Sequence, residues 1–246
     1  MRTIDLNCDM GEGYPDDVEL MKLISSASIA CGYHAGDVDT MRRTVELALA
    51  NGVAIGAHPG YQDRENFGRR PMALSATAVI KIVREQIAMI QRVCNEFDAA
   101  LHHVKPHGAL YNQAAKDEEL AAAIAVAVKD VDDRLILYGL SGSHLISQAE
   151  LAGLRTASEV FADRTYATDG TLTPRSEANA LITNASAAAE QAIRMVADGS
   201  VLSTSGEVVP LKAETICIHG DGPHALEFAT SIRSALETNK ITIRAL

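Results

Sequence analysis

Acids, histidines and a lysine crowd into three short segments: Asp5-Leu6-Asn7-Cys8-Asp9-Met10-Gly11-Glu12, Ile29-Ala30-Cys31-Gly32-Tyr33-His34-Ala35-Gly36-Asp37 and His103-Val104-Lys105-Pro106-His107-Gly108-Ala109-Leu110-Tyr111-Asn112. Each runs from β-prone or apolar residues straight into Asp, Glu, His, Lys and Gly. A strand end of that composition adds little stability and suits chemistry. Asp5, Asn7, Asp9 and Glu12 alternate along the first segment. Carboxylates this close raise one another's pKa, as general acid or base work needs, and they also suit a cation. The plainer reading is an acidic strand end solvated by water.

His34, His58, His103, His107 and His219 all fall at predicted strand ends. With Asp9 they supply the donor types for a divalent metal. No local signature such as His-Glu-x-x-His is present, so the sequence offers donors without geometry and leaves a metal open. The four cysteines, Cys8, Cys31, Cys94 and Cys217, lack Cys-x-x-Cys spacing and read as buried thiols, so no tightly bound structural zinc is expected. Lys105 precedes Pro106, and a residue before proline avoids the helical region. Lys105 therefore finishes an extended strand, its ammonium set to bind an anion or stabilise an oxyanion. Glu159 is followed by Asp163 and Arg164, and Arg175 lies a short loop further on. A guanidinium grips a carboxylate or phosphate with two parallel bonds, although an internal Asp–Arg pair is the bland alternative. Gly220-Asp221-Gly222-Pro223, after His219, leads into a helix N-terminus and is the best anion-site candidate.

Alternating strands and helices must position these groups. Strands are predicted at residues 4–8, 27–31, 53–57, 101–104, 135–140, 156–161 and 215–218, with a closing strand at 241–246. Helical patterns occupy 16–25, a stretch N-capped by Asp37 and stopped by Asn51-Gly52, a long one capped by Ser75, one opened by Asp117, then 142–152, 182–198 and a last one from Pro223. Residues 162–181 and 199–213 read as loops or a small hairpin. Polar motifs follow almost every strand instead of gathering at one switch point, which favours a closed barrel over an open doubly wound sheet. The expected organisation is one (β/α) barrel domain over 1–246.

The chain of 246 residues is 47% hydrophobic and 22% charged, ordinary for a globular protein and long enough to bury roughly 70–75% of its unfolded surface. A net charge of −10 argues against nucleic acid or anionic lipid as partners. No signal peptide or membrane-spanning run is read, so a cytoplasmic location is expected. Gly-x-Gly-x-x-Gly, Gly-x4-Gly-Lys-[Ser/Thr] and Gly-x-Ser-x-Gly are all absent, which removes the usual support for dinucleotide, P-loop and α/β-hydrolase chemistry.

Taken together, the opening motif, residues 29–37, Gly56-Ala57-His58-Pro59-Gly60-Tyr61, residues 103–112 and 159–166, Leu172-Thr173-Pro174-Arg175 and Ile218-His219-Gly220-Asp221 resemble the LamB/YcsF family, in its order and over essentially the whole chain. Tyr33 for the usual Phe and Thr173 for the usual Val are conservative departures. The resemblance implies an irregular seven-stranded TIM-like barrel of the glycoside hydrolase/deacetylase type. It also implies a cyclic amide hydrolase: ATP-dependent opening of 5-oxoproline (pyroglutamate) to L-glutamate, as the A component of a 5-oxoprolinase that includes B and C subunits. ATP would be a co-substrate of the complex, and a homo-oligomer is left open.

Within that reading Asp9, Glu12, Lys105, His107 and Asp163 are the candidate catalytic groups. Asn7, His34, His58, Arg164, Arg175, His219 and Asp221 are the candidate substrate-binding groups. Asp9 and Lys105 are expected to be exposed strand-end residues whose replacement costs little stability. Two rivals stand beside it. One is a stand-alone metal-dependent deacetylase with Asp9, His34 and His58 as ligands. The other is a non-catalytic binding or regulatory component of the complex.

Overall fold

The first strand explains the fold. In β1 (Thr3–Met10) successive side chains point to opposite faces. Leu6, Cys8 and Met10 pack into the apolar core. Asp5, Asn7 and Asp9 turn the other way, onto an axis that β1 shares with six other strands. The computed structural model describes residues 2–218 and 224–246. His219, Asp221 and the expected anion-binding turn at 220–223 lie outside them.

β2 (Ser26–Ala30), β3 (Ala54–His58), β4 (Leu101–Val104), β5 (Ile136–Leu140), β6 (Arg155–Phe161) and β9 (Thr215–Ile218) follow β1 in parallel, each hydrogen-bonded to the next. β9 pairs back onto β1 through Asp5↔Thr215 to Cys8↔Ile218, closing a seven-stranded parallel barrel among the described residues. The predicted closing strand shrinks to β10 (Thr242–Ile243), because the edge of β1 offers it only Thr3 and Ile4 below the stretch taken by β9. β7 (Ser200–Leu202) and β8 (Val208–Pro210) form the expected small antiparallel hairpin outside the barrel.

Helices on the outside cover the apolar faces of the strands. In α2 (Val38–Asn51), Asp37 accepts from the Thr40 N–H at 2.7 Å and Gly52 closes the helix at φ 66°. α3 (Ala76–Glu96) is capped by Ser75 and buries Val79, Val83, Ile87, Ile90 and Cys94, the residues its periodicity nominates. α5 (Glu118–Val131), α6 (His144–Leu151), α7 (Ala185–Asp198) and α8 (Ala225–Thr238) fall where the pattern places them, α7 starting at its cap Asn184 instead of at 182. The helix expected over 16–25 is a single turn, α1 (Asp17–Leu20), because the Ser25 amide already donates to Leu6 O at 2.8 Å to begin the next pairing. A helix the sequence reading misses, α4 (Gly108–Ala114), starts directly after the Lys105-Pro106-His107 segment.

The barrel axis is polar at its floor. Asp5 accepts four hydroxyl hydrogen bonds, from Ser25 (2.6 Å), Ser26 (2.7 Å), Thr215 (2.7 Å) and Tyr138 (2.9 Å). Above Tyr138 lies the buried ring of His103, stacked on it at 4.2 Å and 3.2 Å from Ser28 Oγ. Burial, then the nearby His102 and Lys105, hold the His103 pKa well below 6.5.

This packing has two measurable consequences. A Cβ added at Gly56 would overlap His103 Nε2, at 2.1 Å. Gly56→Ala should therefore cost about 1–3 kcal/mol or more, seen as a lower urea midpoint with the unfolding slope unchanged. His103 must stay neutral in the fold yet protonates when unfolded, so its contribution to stability is present above about 6.5 and is lost as pH falls below that value. Between pH 7 and pH 5 the wild type should lose more stability in urea melts than His103→Asn; equal losses would refute the assignment.

Candidate active site

Lys105 sits one residue past β4, held extended by its N–H, which donates to Ala57 O at 2.9 Å. Its ammonium is buried on the axis. It donates to Asn7 Oδ1 at 2.9 Å and to Cys217 Sγ at 3.1 Å. It is ion-paired with Asp9 Oδ1 at 2.8 Å and Glu159 Oε1 at 2.9 Å. Burial alone would lower its pKa, but the charges of Asp9 and Glu159 win and hold it well above the ordinary lysine value. Lys105 is thus a fixed positive charge and not a proton donor near neutrality.

Asn7 serves the same network. Its amide donates to Glu159 Oε1 at 2.9 Å and Thr215 Oγ1 at 2.7 Å. It does not line the cavity above, and its polar atoms are engaged by Lys105, Glu159 and Thr215. The expectation that Lys105 is exposed is corrected too, since it is 2% exposed.

Beside Asp9 stand Glu12 and three imidazoles. His58, ending β3, faces the Lys105 carbonyl oxygen through Nδ1 at 2.7 Å. His107 faces the Phe67 carbonyl oxygen through Nε2 at 2.8 Å. Their remaining nitrogens, His58 Nε2 and His107 Nδ1, lie 2.9 Å apart. Asp9 Oδ2 is 3.3 Å from His58 Nε2, and Glu12 Oε1 is 3.3 Å from His107 Nδ1. His34 stacks flat on His107 at 3.8 Å, and its Nε2 is 3.0 Å from Glu12 Oε1. Glu12, His34, His58 and His107 each bring one donor atom within 4.8 Å of the others, a set of the size and type that holds a metal ion. Burial, then neighbouring imidazoles, push the His107 pKa down to about 3 and that of His34 well below the usual range.

Glycines let these rings approach. Gly68, at φ 62°, leaves room where a Cβ would meet His34 Cβ at 2.8 Å and His107 Cδ2 at 2.9 Å. Phe67, also left-handed at φ 54°, packs edge-on against His34 and His107 and presents the carbonyl that fixes the His107 ring.

Above the carboxylates and imidazoles opens a cavity of about 590 Å³. Asp9, Glu12, His58, Lys105 and His107 form its floor, and Arg69, Lys116, Arg164 and Arg175 are on its wall. Arg164 is buried and donates to Ala180 O at 3.2 Å and Thr173 O at 2.6 Å. It clasps the 172–175 loop while lining the cavity. Arg175, carried on that loop, is exposed on the cavity wall. Asp163 is half-buried beyond β6, acts electrostatically on Arg164, and does not line the cavity. His34 is likewise behind the wall, against Glu12. The structure thus gathers Asn7, Asp9, Glu12, His34, His58, Lys105 and His107 at one end of the barrel.

The sequence reading passes over the roles of Glu159, Cys217, Phe67 and Tyr111. Glu159 carries a signal, a lone acid inside a β-prone run. Tyr111 lies in the third motif, and its buried hydroxyl sits by Glu159, burial and that charge pushing its pKa well up. Phe67 acts through its backbone and leaves no signal in the sequence.

The chain matches the LamB/YcsF family over residues 4–246. The A component of a 5-oxoprolinase of Brevibacillus brevis is 53% identical over 250 residues, spanning 100% of this chain and 98% of its own. The crystal structure of a lactam utilization protein from Thermus thermophilus superposes with a TM-score of 0.93 at 44% identity, covering 99% of this chain and 100% of that one. A T48 deacetylase shares the fold at a TM-score of 0.54 and 13% identity, over 98% of this chain and 87% of that one. Among the described residues no helix is long and apolar enough to cross a membrane.

Removing the Lys105 charge strands Asp9 and Glu159 in a buried site. Lys105→Met should therefore cost about 3–5 kcal/mol, against the small cost expected from sequence. Adding Glu159→Gln should recover part of it in the double variant. Urea melts of the single and double variants check this, and a single-variant loss below 1 kcal/mol (on the order of an exposed pair) would contradict it.

Proposed function

The chain belongs to the LamB/YcsF family, and from that membership and the floor of the cavity we propose that it opens the ring of 5-oxoproline to give L-glutamate, as the A component of a cytoplasmic 5-oxoprolinase with B and C partners. The observation that carries the reading is the pairing of Asp9 with the fixed ammonium of Lys105, with Glu12 beside them, in a cavity that Arg175 also lines. Relatives named for 5-oxoprolinase and for lactam utilization support it.

A five-membered lactam is a resonance-stabilised amide with little ring strain. ATP overcomes this if its terminal phosphoryl group passes to the lactam oxygen. This chain carries no Walker-type phosphate loop, so the partners are assigned that step. In the activated lactam the electrophilic carbon faces the carboxylates, and the substrate carboxylate meets Arg175. Asp9 or Glu12 takes a proton from the attacking water. The C–N bond then breaks, the ring nitrogen takes up a proton, and hydrolysis of the resulting acyl phosphate yields glutamate and phosphate. Lys105 holds Asp9 in place, and adds positive potential where negative charge develops. Deacetylase chemistry draws on the likeness of fold alone, which carries no activity across at 13% identity.

In a reconstituted mixture of the three components with ATP, Asp9→Asn should cut glutamate formation by ~10²–10⁴-fold while the protein stays folded by circular dichroism. Unchanged turnover would favour a non-catalytic role for the chain. Arg175→Ala should mainly raise KM for 5-oxoproline, leaving kcat within a few-fold. ATP hydrolysis by this chain alone would contradict the division of labour.

A further inference from the structure

His58 and His107 face each other through lone pairs. The Lys105 carbonyl is an acceptor, so the His58 proton is on Nδ1 and Nε2 is bare. The Phe67 carbonyl is an acceptor too, so the His107 proton is on Nε2 and Nδ1 is bare. Those two bare nitrogens are 2.9 Å apart. Glu12 Oε1 stands 3.3 Å from His107 Nδ1 and 3.8 Å from His58 Nε2, and Asp9 Oδ2 stands 3.3 Å from His58 Nε2. Three acceptor atoms, the two bare nitrogens and Glu12 Oε1, thus face one another, and Asp9 Oδ2 adjoins them at His58. That arrangement is repulsive unless a cation sits at its centre.

We propose that Asp9, Glu12, His58 and His107 bind one first-row divalent transition-metal ion, of the zinc, manganese or cobalt class. Ligand atoms 2.0–2.2 Å from such an ion, at right or tetrahedral angles, lie roughly 2.8–3.6 Å from one another, close to the separations seen. Two imidazoles with two carboxylates suit these ions, whereas magnesium and calcium prefer oxygen alone. The surroundings are those of a ligand set held in place. Lys105 pairs with Asp9 Oδ1, and Asp9 Oδ2 is the oxygen turned toward His58 Nε2. The Lys105 and Phe67 carbonyls set both ring orientations, as the outer partners of ligating histidines do.

His34 has a different part, although its nitrogen is within reach. Its Nδ1 is buried without a partner, and its Nε2 is 3.0 Å from Glu12 Oε1. A neutral ring so placed donates from Nε2 to the carboxylate. His34 is therefore a positioning residue for Glu12 and not a ligand. All four ligands line the cavity, which leaves the ion open to water. With Asp9 and Glu12 spent on the ion, the ion would take over activation of the attacking water from a free carboxylate, since a metal in such an open position lowers the pKa of water to about 7.

The role in ring opening rests on the lactam reading, but binding of the ion does not. Chelator-stripped, untagged protein is titrated with cobalt(II), followed by visible absorption and elemental analysis. One equivalent is expected, with the d–d bands of a mixed nitrogen and oxygen site. His58→Gln and His107→Gln should abolish those bands. Glu12→Gln, which keeps its shape, should weaken affinity by at least tenfold. His34→Gln should weaken it by ~10–100-fold while retaining the bands. Circular dichroism and the urea midpoint of each stripped variant show that the fold persists; should a histidine variant unfold, Glu12→Gln carries the test. No binding up to 1 mM cobalt (a weak-affinity limit of about −4 kcal/mol), or binding untouched by these changes, overturns the site, and a proton shared by the two imidazoles is then the occupant. One bound equivalent in a reconstituted system that forms no glutamate upholds the site and overturns the lactam reading.

Discussion

One buried ammonium organises this barrel. Lys105 reaches from the end of β4 to side chains of β1, β6 and β9, meeting Asn7, Asp9, Glu159 and Cys217. Withdrawing charges from water costs several kcal/mol each, and only a fully partnered arrangement repays it. The partnering continues downward. Asn7 is turned by Lys105 so that its amide meets Glu159 and Thr215, and Thr215 in turn donates to Asp5. Ser25, Ser26 and Tyr138 complete Asp5. A continuous polar network thus runs from floor to mouth. Its members share partners, so the energetic effects of changing them are not independent.

This polar axis is why the strands are so legible in the sequence. Asp5-Leu6-Asn7-Cys8-Asp9-Met10 alternates, and the alternation is real, but it is inverted relative to a half-exposed strand. The polar residues point inward and the apolar ones outward, toward α8, α2 and their neighbours. Period and length specify a strand either way. They do not distinguish a solvated face from a polar interior, so Lys105 reads as an exposed strand-end residue although it is buried framework. Caps and helical stripes are equally legible, because Asp37, Ser75 and Asp117 act locally.

Whatever depends on contacts between distant segments is not legible. Arg164 is not marked in the sequence as a partner of the Thr173 and Ala180 carbonyls that the fold brings to its guanidinium. His34 is not marked in the sequence as a neighbour of Glu12, whose Oε1 its Nε2 meets at 3.0 Å. Phe67 looks like nothing, since its contribution is a carbonyl aimed by a left-handed backbone. A non-glycine residue at such a φ is uncommon, and it persists where the surroundings over-determine it. Here Gly68 beside it, the His107 bond and the Arg69 guanidinium 5.0 Å above its ring do so. The loop is in this sense part of the imidazole cluster.

The cavity lining carries both signs of charge, and this bears on any ligand that enters. Asp9, Glu12 and the imidazoles gather around the ammonium of Lys105, and Arg69, Lys116, Asp117 and Arg175 complete the lining. An anionic group is drawn to the cations of the lining and repelled from its carboxylates. An electrophilic carbon attached to it is then presented to the acids. In a cavity walled by low-dielectric protein these preferences are stronger than in water. A small lactam that bears a carboxylate has that polarity, whereas a neutral lactam of the same size would enter without orientation. The arrangement thus selects for the charge pattern of the ligand before any single contact selects for its shape.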